Sequence, residues 1–190
     1  MGKAKTFTAA ELRRVLDYIA TRQHAVRNRT MLLMTHWGGM RVGEVAALRY
    51  CDVLNSDGSV RAEINLSSEQ TKGSHSRTVF VSSKLRKGLA AYVAAHPPIS
   101  SEHSLFYTQK NPKRGFTANT LAQHFLYLYR SVGFDGASSH SGRRSFATTL
   151  SSKGVGVRVL MSAMGHRNIS TTIGYVDASD DMLRRAVDLV

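Results

Sequence analysis

The chain has 190 residues, enough for one domain with a buried core and too few for several. Its 26 Lys and Arg against 13 Asp and Glu leave a net charge of +13, an excess that calls for a polyanionic partner, nucleic acid before any other. A single cysteine, Cys51, excludes an intrachain disulfide and suits a cytoplasmic protein, and no apolar stretch is long enough to span a membrane.

In chain order the pattern is mostly helical. In TAAELRRVLDYIA, Thr8 stands three residues before Glu11, a capping-box signature, and Leu12, Val15, Leu16 and Ile19 recur at helical spacing. RNRTMLLMTHW reads as a second helix closed by Gly38 and Gly39, and RVGEVAALRY as a short third. VRAEINL and RTVFVS have the alternation and β-branched content of strands. The polar SSEQTKGSHS between them makes a hairpin or small sheet with Lys72 and Gly73 near its tip. SKLRKGLAAYVAAH is an amphipathic helix stopped by Pro97 and Pro98. SLFYT is expected as a short strand, NPKRG as a basic loop, and TANTLAQHFLYLYRSVG as a helix capped by Thr117. SSHSGRRSFATTLSSKG is read as a helix weakened by Gly142, followed by the short helical pieces GVRVLMSAMG, ISTTIGY and SDDMLRRAVDLV. No repeat or linker divides the chain. The fold class is therefore α+β, mainly helical with one small antiparallel β-sheet.

Several kinds of chemistry lack their residues. There is no Gly-x-x-x-x-Gly-Lys phosphate loop, one cysteine cannot make a cysteine-rich zinc site, and no acidic cluster suggests a two-metal nuclease. No metal or other cofactor is expected, so phosphate chemistry here has to run on cationic side chains. Arg41 begins a short helix, and Glu44, three residues on, shares its face and can orient the guanidinium. Lys72 sits at the hairpin tip. His140 and Arg143, three apart, project from one helix face. His166 follows Gly165, and Tyr175 comes nine residues later. Taken singly, each has a plain explanation: a surface ion pair, a solvated lysine, a basic patch, a capping histidine, a packed aromatic.

Together, in this order, they resemble the tyrosine recombinases, the phage-integrase type of DNA recombinase. The matching text is GGMRVGEVAALRYCDV, QTKGSHSRTVFVS, HSGRRSFATTL and MGHRNISTTIGYVDAS, four blocks that span nearly the whole chain. The resemblance implies an integrase-like catalytic domain over residues 1–190; most members carry a separate N-terminal core-binding domain before it, and the expected departure here is that these residues leave no room for one, as in an excised catalytic fragment or a short member of the family. It implies a site-specific enzyme that breaks and rejoins DNA strands through a 3′-phosphotyrosine link at Tyr175. By the same resemblance Arg41 and Arg143 clamp the phosphate, His166 donates to it and Lys72 protonates the leaving 5′ oxygen. His140 would take the nucleophile's proton, and Glu44 would orient its neighbours. Double-stranded DNA is the implied partner, bound by a homodimer or homotetramer.

The residue types suit that task. Free tyrosine has a pKa of about 10, so roughly one molecule in a thousand is ionised at neutral pH. A strong positive field favours the phenolate and the charge that gathers on the phosphate in the transition state, and arginine can grip two phosphate oxygens at once. On charge alone Lys110, Lys113, Arg114 and Arg167 are candidate DNA contacts. The tail VDASDDMLRRAVDLV is amphipathic and packs either on its own domain or on a neighbouring protomer. The text departs from the family at Gly142, where a larger apolar residue is common, at Arg144, where histidine is frequent, and at Asp177, where many members have histidine. Two other readings stand beside the recombinase: a type IB topoisomerase-like activity that nicks and reseals, and a catalytically silent DNA-binding regulator of the same fold.

Overall fold

Thr8 starts the first helix as its spacing from Glu11 predicts. In the computed structural model, which describes residues 4–108, 114–175, 183–184 and 187–188, the Thr8 hydroxyl accepts from the Glu11 N–H and the Glu11 carboxylate accepts from the Thr8 N–H at 2.9 Å. The helix so opened, α1 (Ala9–Ala20), turns Val15, Leu16 and Ile19 into the core. The next helix, α2 (Ala25–Trp37), is buried on almost every side, Thr35 and His36 included. A helix surrounded by others has no solvent face, which is why its sequence lacks a clean apolar stripe. His36 Nε2 meets the Tyr129 hydroxyl at 3.2 Å, and burial pulls its pKa down to about 3, so it is a neutral core histidine.

Helices α1, α5 (Ser83–Ala95) and α7 (Ser141–Ser152) pack around α2, and α3 (Val42–Ala47) leans on α6 (Ala118–Ser131). Thr117 caps α6 by accepting from the Thr120 N–H at 3.1 Å. Strands β1 (Glu63–Leu66) and β2 (Arg77–Phe80) pair antiparallel, with Glu63 opposite Phe80 and Leu66 opposite Arg77. Ile64, Leu66 and Val79 are buried, so Arg77, which shares the parity of Val79, is carried inward by the pleat. The helices α8 (Val157–Met164) and α9 (Ile169–Ile173) follow α7. Ala147, Leu160 and Met164 form a second, smaller core between α7 and α8, with Phe146, Leu150 and Tyr175 at its margin.

The α+β class stands as expected, with three local differences. RVGEVAALRY divides: Leu48 and Arg49 are extended, and a separate turn of helix, α4 (Tyr50–Val53), follows. SLFYT forms no strand, because it finds only isolated bridges, Ser104 with Arg49 and Tyr107 with Gly115. Gly142 is a point of contact, not of weakness. A Cβ there would lie 2.1 Å from Thr35 Oγ1 and 2.8 Å from His36 Cδ2, so α7 meets α2 at a distance only glycine permits. Asp177 and most of the tail VDASDDMLRRAVDLV lie outside the described residues. Among the described residues no helix is long and apolar enough to cross a membrane.

Candidate active site

The site begins where α2 ends. Gly39, with φ +61°, turns the chain, and the Phe146 ring occupies the space a side chain would need, its Cδ1 2.5 Å from the position of a Cβ. The turn sets Arg41 at the N-terminus of α3 with extended backbone. Glu44 accepts from the Arg41 backbone N–H at 2.7 Å and from Arg41 Nη1 at 2.8 Å. This is no surface ion pair, because the Glu44 side chain is only 1% exposed. A carboxylate buried that deeply needs more than one partner. The second is Arg77, whose Nη2 and Nε donate to the two carboxylate oxygens at 2.6 and 3.1 Å. Burial alone would push the Glu44 pKa up, but Arg77, and after it Arg41, hold the carboxyl below its ordinary value.

A third guanidinium lies beside this pair. Arg143, on α7, is buried and donates to the carbonyls of Gly39 and Met164 and, at 3.0 Å, to His166 Nε2. Burial, then the charge of Arg41, pull its pKa down to about 9; Arg77 adds to the fall, while Glu44 and Tyr175 oppose it. It stays charged at neutral pH. With Nε2 accepting from Arg143, His166 Nδ1 carries the proton and donates to Thr172 Oγ1 at 3.0 Å. Burial, followed by the charges of Arg143 and Arg41, lowers the His166 pKa to about 4, so the ring is neutral at pH 7. The His166 and Tyr175 rings stack with centroids 5.9 Å apart and planes 22° apart. The Arg144 guanidinium lies over Tyr175 at 5.5 Å from its centroid.

The other sequence candidates stand apart from this knot. Lys72 is exposed in the connection between β1 and β2 and makes no hydrogen bond or ion pair with a described residue. His140 is exposed at the N-terminus of α7 and its side chain makes no capping bond. Spacing put it on one helix with Arg143, but Arg143 points into the protein and His140 does not follow it. Arg114 is exposed. Arg167, also exposed, donates to His75 Nε2 in the β1–β2 connection. Lys110 and Lys113 lie outside the described residues. Among the described residues no three His, Cys, Asp or Glu side chains converge as metal ligands.

Sequence reasoning missed Arg77. In QTKGSHSRTVFVS it reads as ordinary strand text. Its parity with Val79 was the available signal, since an arginine on the inward face of a strand requires a buried acceptor.

The sequence and the fold both have known relatives. The model of the phage integrase family matches residues 5–182. Transposase A from transposon Tn554 of Staphylococcus aureus is 27% identical over 189 residues, covering 95% of this chain and 50% of that protein. The tyrosine recombinase XerA of Thermococcus onnurineus is 27% identical over 182 residues, covering 96% of this chain and 61% of that protein. This chain thus spans about half to three-fifths of the length of these two relatives. Among solved structures, the Tn1549 transposon integrase in complex with transposon right end DNA superimposes with a TM-score of 0.76 at 17% identity, over 100% of this chain and 67% of that one.

Proposed function

Because this chain belongs to the phage integrase family, we propose that it is a site-specific recombinase that breaks and rejoins double-stranded DNA through a covalent link at Tyr175. The observation that carries this reading is the contiguity of a buried guanidinium, an imidazole and a phenol: Arg143 on His166, and His166 stacked on Tyr175. The bonds to Gly39, Met164 and His166 use three of the five N–H hydrogens a guanidinium carries, so the fork is held in place and still has donors for a phosphate.

In the reaction we infer, the Tyr175 oxygen attacks the scissile phosphorus and the bond from phosphorus to the 5′ oxygen breaks. Arg143 and Arg41 bind the non-bridging oxygens, where charge gathers in the transition state. Once the phosphate draws Arg143 away from Nε2, that nitrogen takes up a proton from solvent and donates a further hydrogen bond to the phosphate. Lys72 delivers a proton to the departing 5′ oxygen, and His140 accepts the phenol proton. The product is a 3′-phosphotyrosyl ester and a free 5′ hydroxyl, and attack by such a hydroxyl reverses the step. Glu44 holds Arg41 in register. Arg114 and Arg167 are exposed and suited to backbone phosphates, as Lys110 and Lys113 are by charge. Residues 1–190 serve in this reading as the catalytic domain, which assembles on DNA as a dimer or tetramer in the cytoplasm. The DNA-bound Tn1549 integrase of the same fold supports DNA as the partner.

Covalent capture tests the proposal. The protein is mixed with genomic fragments, denatured without protease, and the protein-linked DNA is recovered and sequenced. DNA linked to the parent and absent from Tyr175→Phe is the expected result. Linkage that survives Tyr175→Phe, or DNA binding by the parent with no linkage at all, overturns it.

A further inference from the structure

We propose that Arg77 is a positioning residue that locks the β1–β2 hairpin, and Lys72 with it, against the phosphate-gripping arginines, and that position 165 is glycine because Arg77 passes there. The inference rests on the strand-cleavage reading above and adds a residue to it.

Arg77 joins three elements at one guanidinium. It is rooted in β2, its fork grips both oxygens of Glu44 on α3, and its Nη1 donates to the Ala163 carbonyl on α8 at 3.2 Å. Ala163 immediately precedes Met164, whose carbonyl accepts from Arg143, so the two arginines are fastened to consecutive residues of one helix end. Lys72 stands five residues before Arg77 on the same hairpin. A second tie, from Arg167 to His75, joins that connection to the turn after α8. The base of the exposed tip is thus clamped on α3, which Arg41 opens, and on α8, whose Met164 carbonyl holds Arg143.

Gly165 supplies the independent observation. It ends α8 with φ +58°, and a Cβ there would lie 2.4 Å from Arg77 Cδ and 3.2 Å from its Nε. The left-handed turn and the arginine stem exclude a side chain at one and the same place. The glycine before His166 therefore does two things: it aims the chain toward His166, and it leaves a channel through which Arg77 reaches Glu44. Lysine cannot replace this arginine, since a single ammonium does not make a parallel fork on a carboxylate and reach a carbonyl as well.

A leaving-group test separates positioning from general stabilisation. Ordinary DNA is compared with DNA whose bridging 5′ oxygen at the scissile phosphate is replaced by sulfur, since a thiolate departs without a proton. Single-turnover cleavage by Arg77→Lys should fall on the order of a hundredfold or more on ordinary DNA, the lower end of what a general acid contributes, and return to within about tenfold of the parent on the sulfur substrate. Lys72→Ala should show the same asymmetry. Equal loss by Arg77→Lys on both substrates overturns the inference, as does parental activity on ordinary DNA or a Lys72→Ala that sulfur fails to rescue. Should Arg77→Lys not fold, Gly165→Ala, which keeps every charge and crowds the arginine stem, is read by the same criteria. A parent that cleaves neither substrate sinks the recombinase reading itself, whereas one that cleaves both leaves that reading standing whatever Arg77→Lys does.

Discussion

The residues of the site fall into two regions with opposite surroundings. Arg41, Glu44, Arg77, Arg143 and His166 form an inner knot whose guanidinium and imidazole groups are tied to a carboxylate, a carbonyl or one another. Lys72 and His140 are exposed and without such ties, and Tyr175 is half-buried at the margin of the small core. The difference follows from what each region has to do. Three guanidinium groups repel one another, and the Arg143 pKa of about 9 reflects its burial first and then the charge of Arg41. They stay close only because Glu44 and the carbonyls of Gly39, Ala163 and Met164 are fixed in advance. Charge stabilisation depends on such preorganisation, and the proposed reaction would find it already built in the fold. In the proposed reaction the proton carriers and the nucleophile need access and movement, and Lys72, His140 and Tyr175 are left where a bound DNA could complete their placement.

The comparison breaks most sharply at Tyr175. Tyr175→Phe keeps the ring stacked on His166 and removes only the hydroxyl. Covalent DNA–protein product should vanish entirely while DNA affinity and the melting temperature hold. A fall in affinity of more than about tenfold, roughly 1.4 kcal/mol, would move Tyr175 into the inner region. Lys72→Ala comes next. Single-turnover cleavage should drop by about 10²- to 10⁴-fold, the usual worth of a general acid, with an unchanged melting curve because the side chain is exposed and unbonded. Glu44→Ala tests the inner region from the other side. It strands two guanidinium groups around an empty site, so stability should fall by about 3–5 kcal/mol in chemical denaturation, and cleavage should fall with it. Loss of cleavage at full stability would mean that the knot is not what holds these elements together.

How much of this was legible in the sequence depends on distance along the chain. The caps at Thr8 and Thr117 and the Arg41–Glu44 pair are contacts across three residues, and local spacing found all of them. The contact of Arg77 with Glu44 crosses thirty-three residues, and parity with Val79 points Arg77 inward without saying which acceptor it meets. Gly142 failed for the same reason: read within its own helix a glycine is a weak point, and its value shows only against Thr35. SLFYT has strand composition, yet a strand needs a partner along its length and this one meets single residues. His140 and Arg143 show that helical spacing reports a face and says nothing of depth.

The smallest expected effect is the titration of His166. Its pKa in the folded, DNA-free protein is about 4 against an ordinary value near 6.5, because burial and the charges of Arg143 and Arg41 disfavour the imidazolium. A depressed folded pKa contributes stability that is fully present above the ordinary value and is lost as pH falls from about 6.5 through about 4. His166→Gln removes that term, so the melting temperature of the parent should fall more steeply than that of the variant across this window. DNA reverses the sign. A phosphate between Arg143 and His166 brings negative charge to the ring and takes up the Arg143 donors that now face Nε2, so the bound pKa rises and binding takes up a proton. DNA affinity at fixed salt should therefore increase as pH drops from 7.5 toward 6, by about tenfold at most for one proton per pH unit, and His166→Gln should flatten that dependence. Equal slopes in parent and variant would show that the ring keeps its bond to Arg143 when DNA is bound. The inner knot would then grip the phosphate without His166, and the line between the two regions would have to be drawn through Arg143 itself.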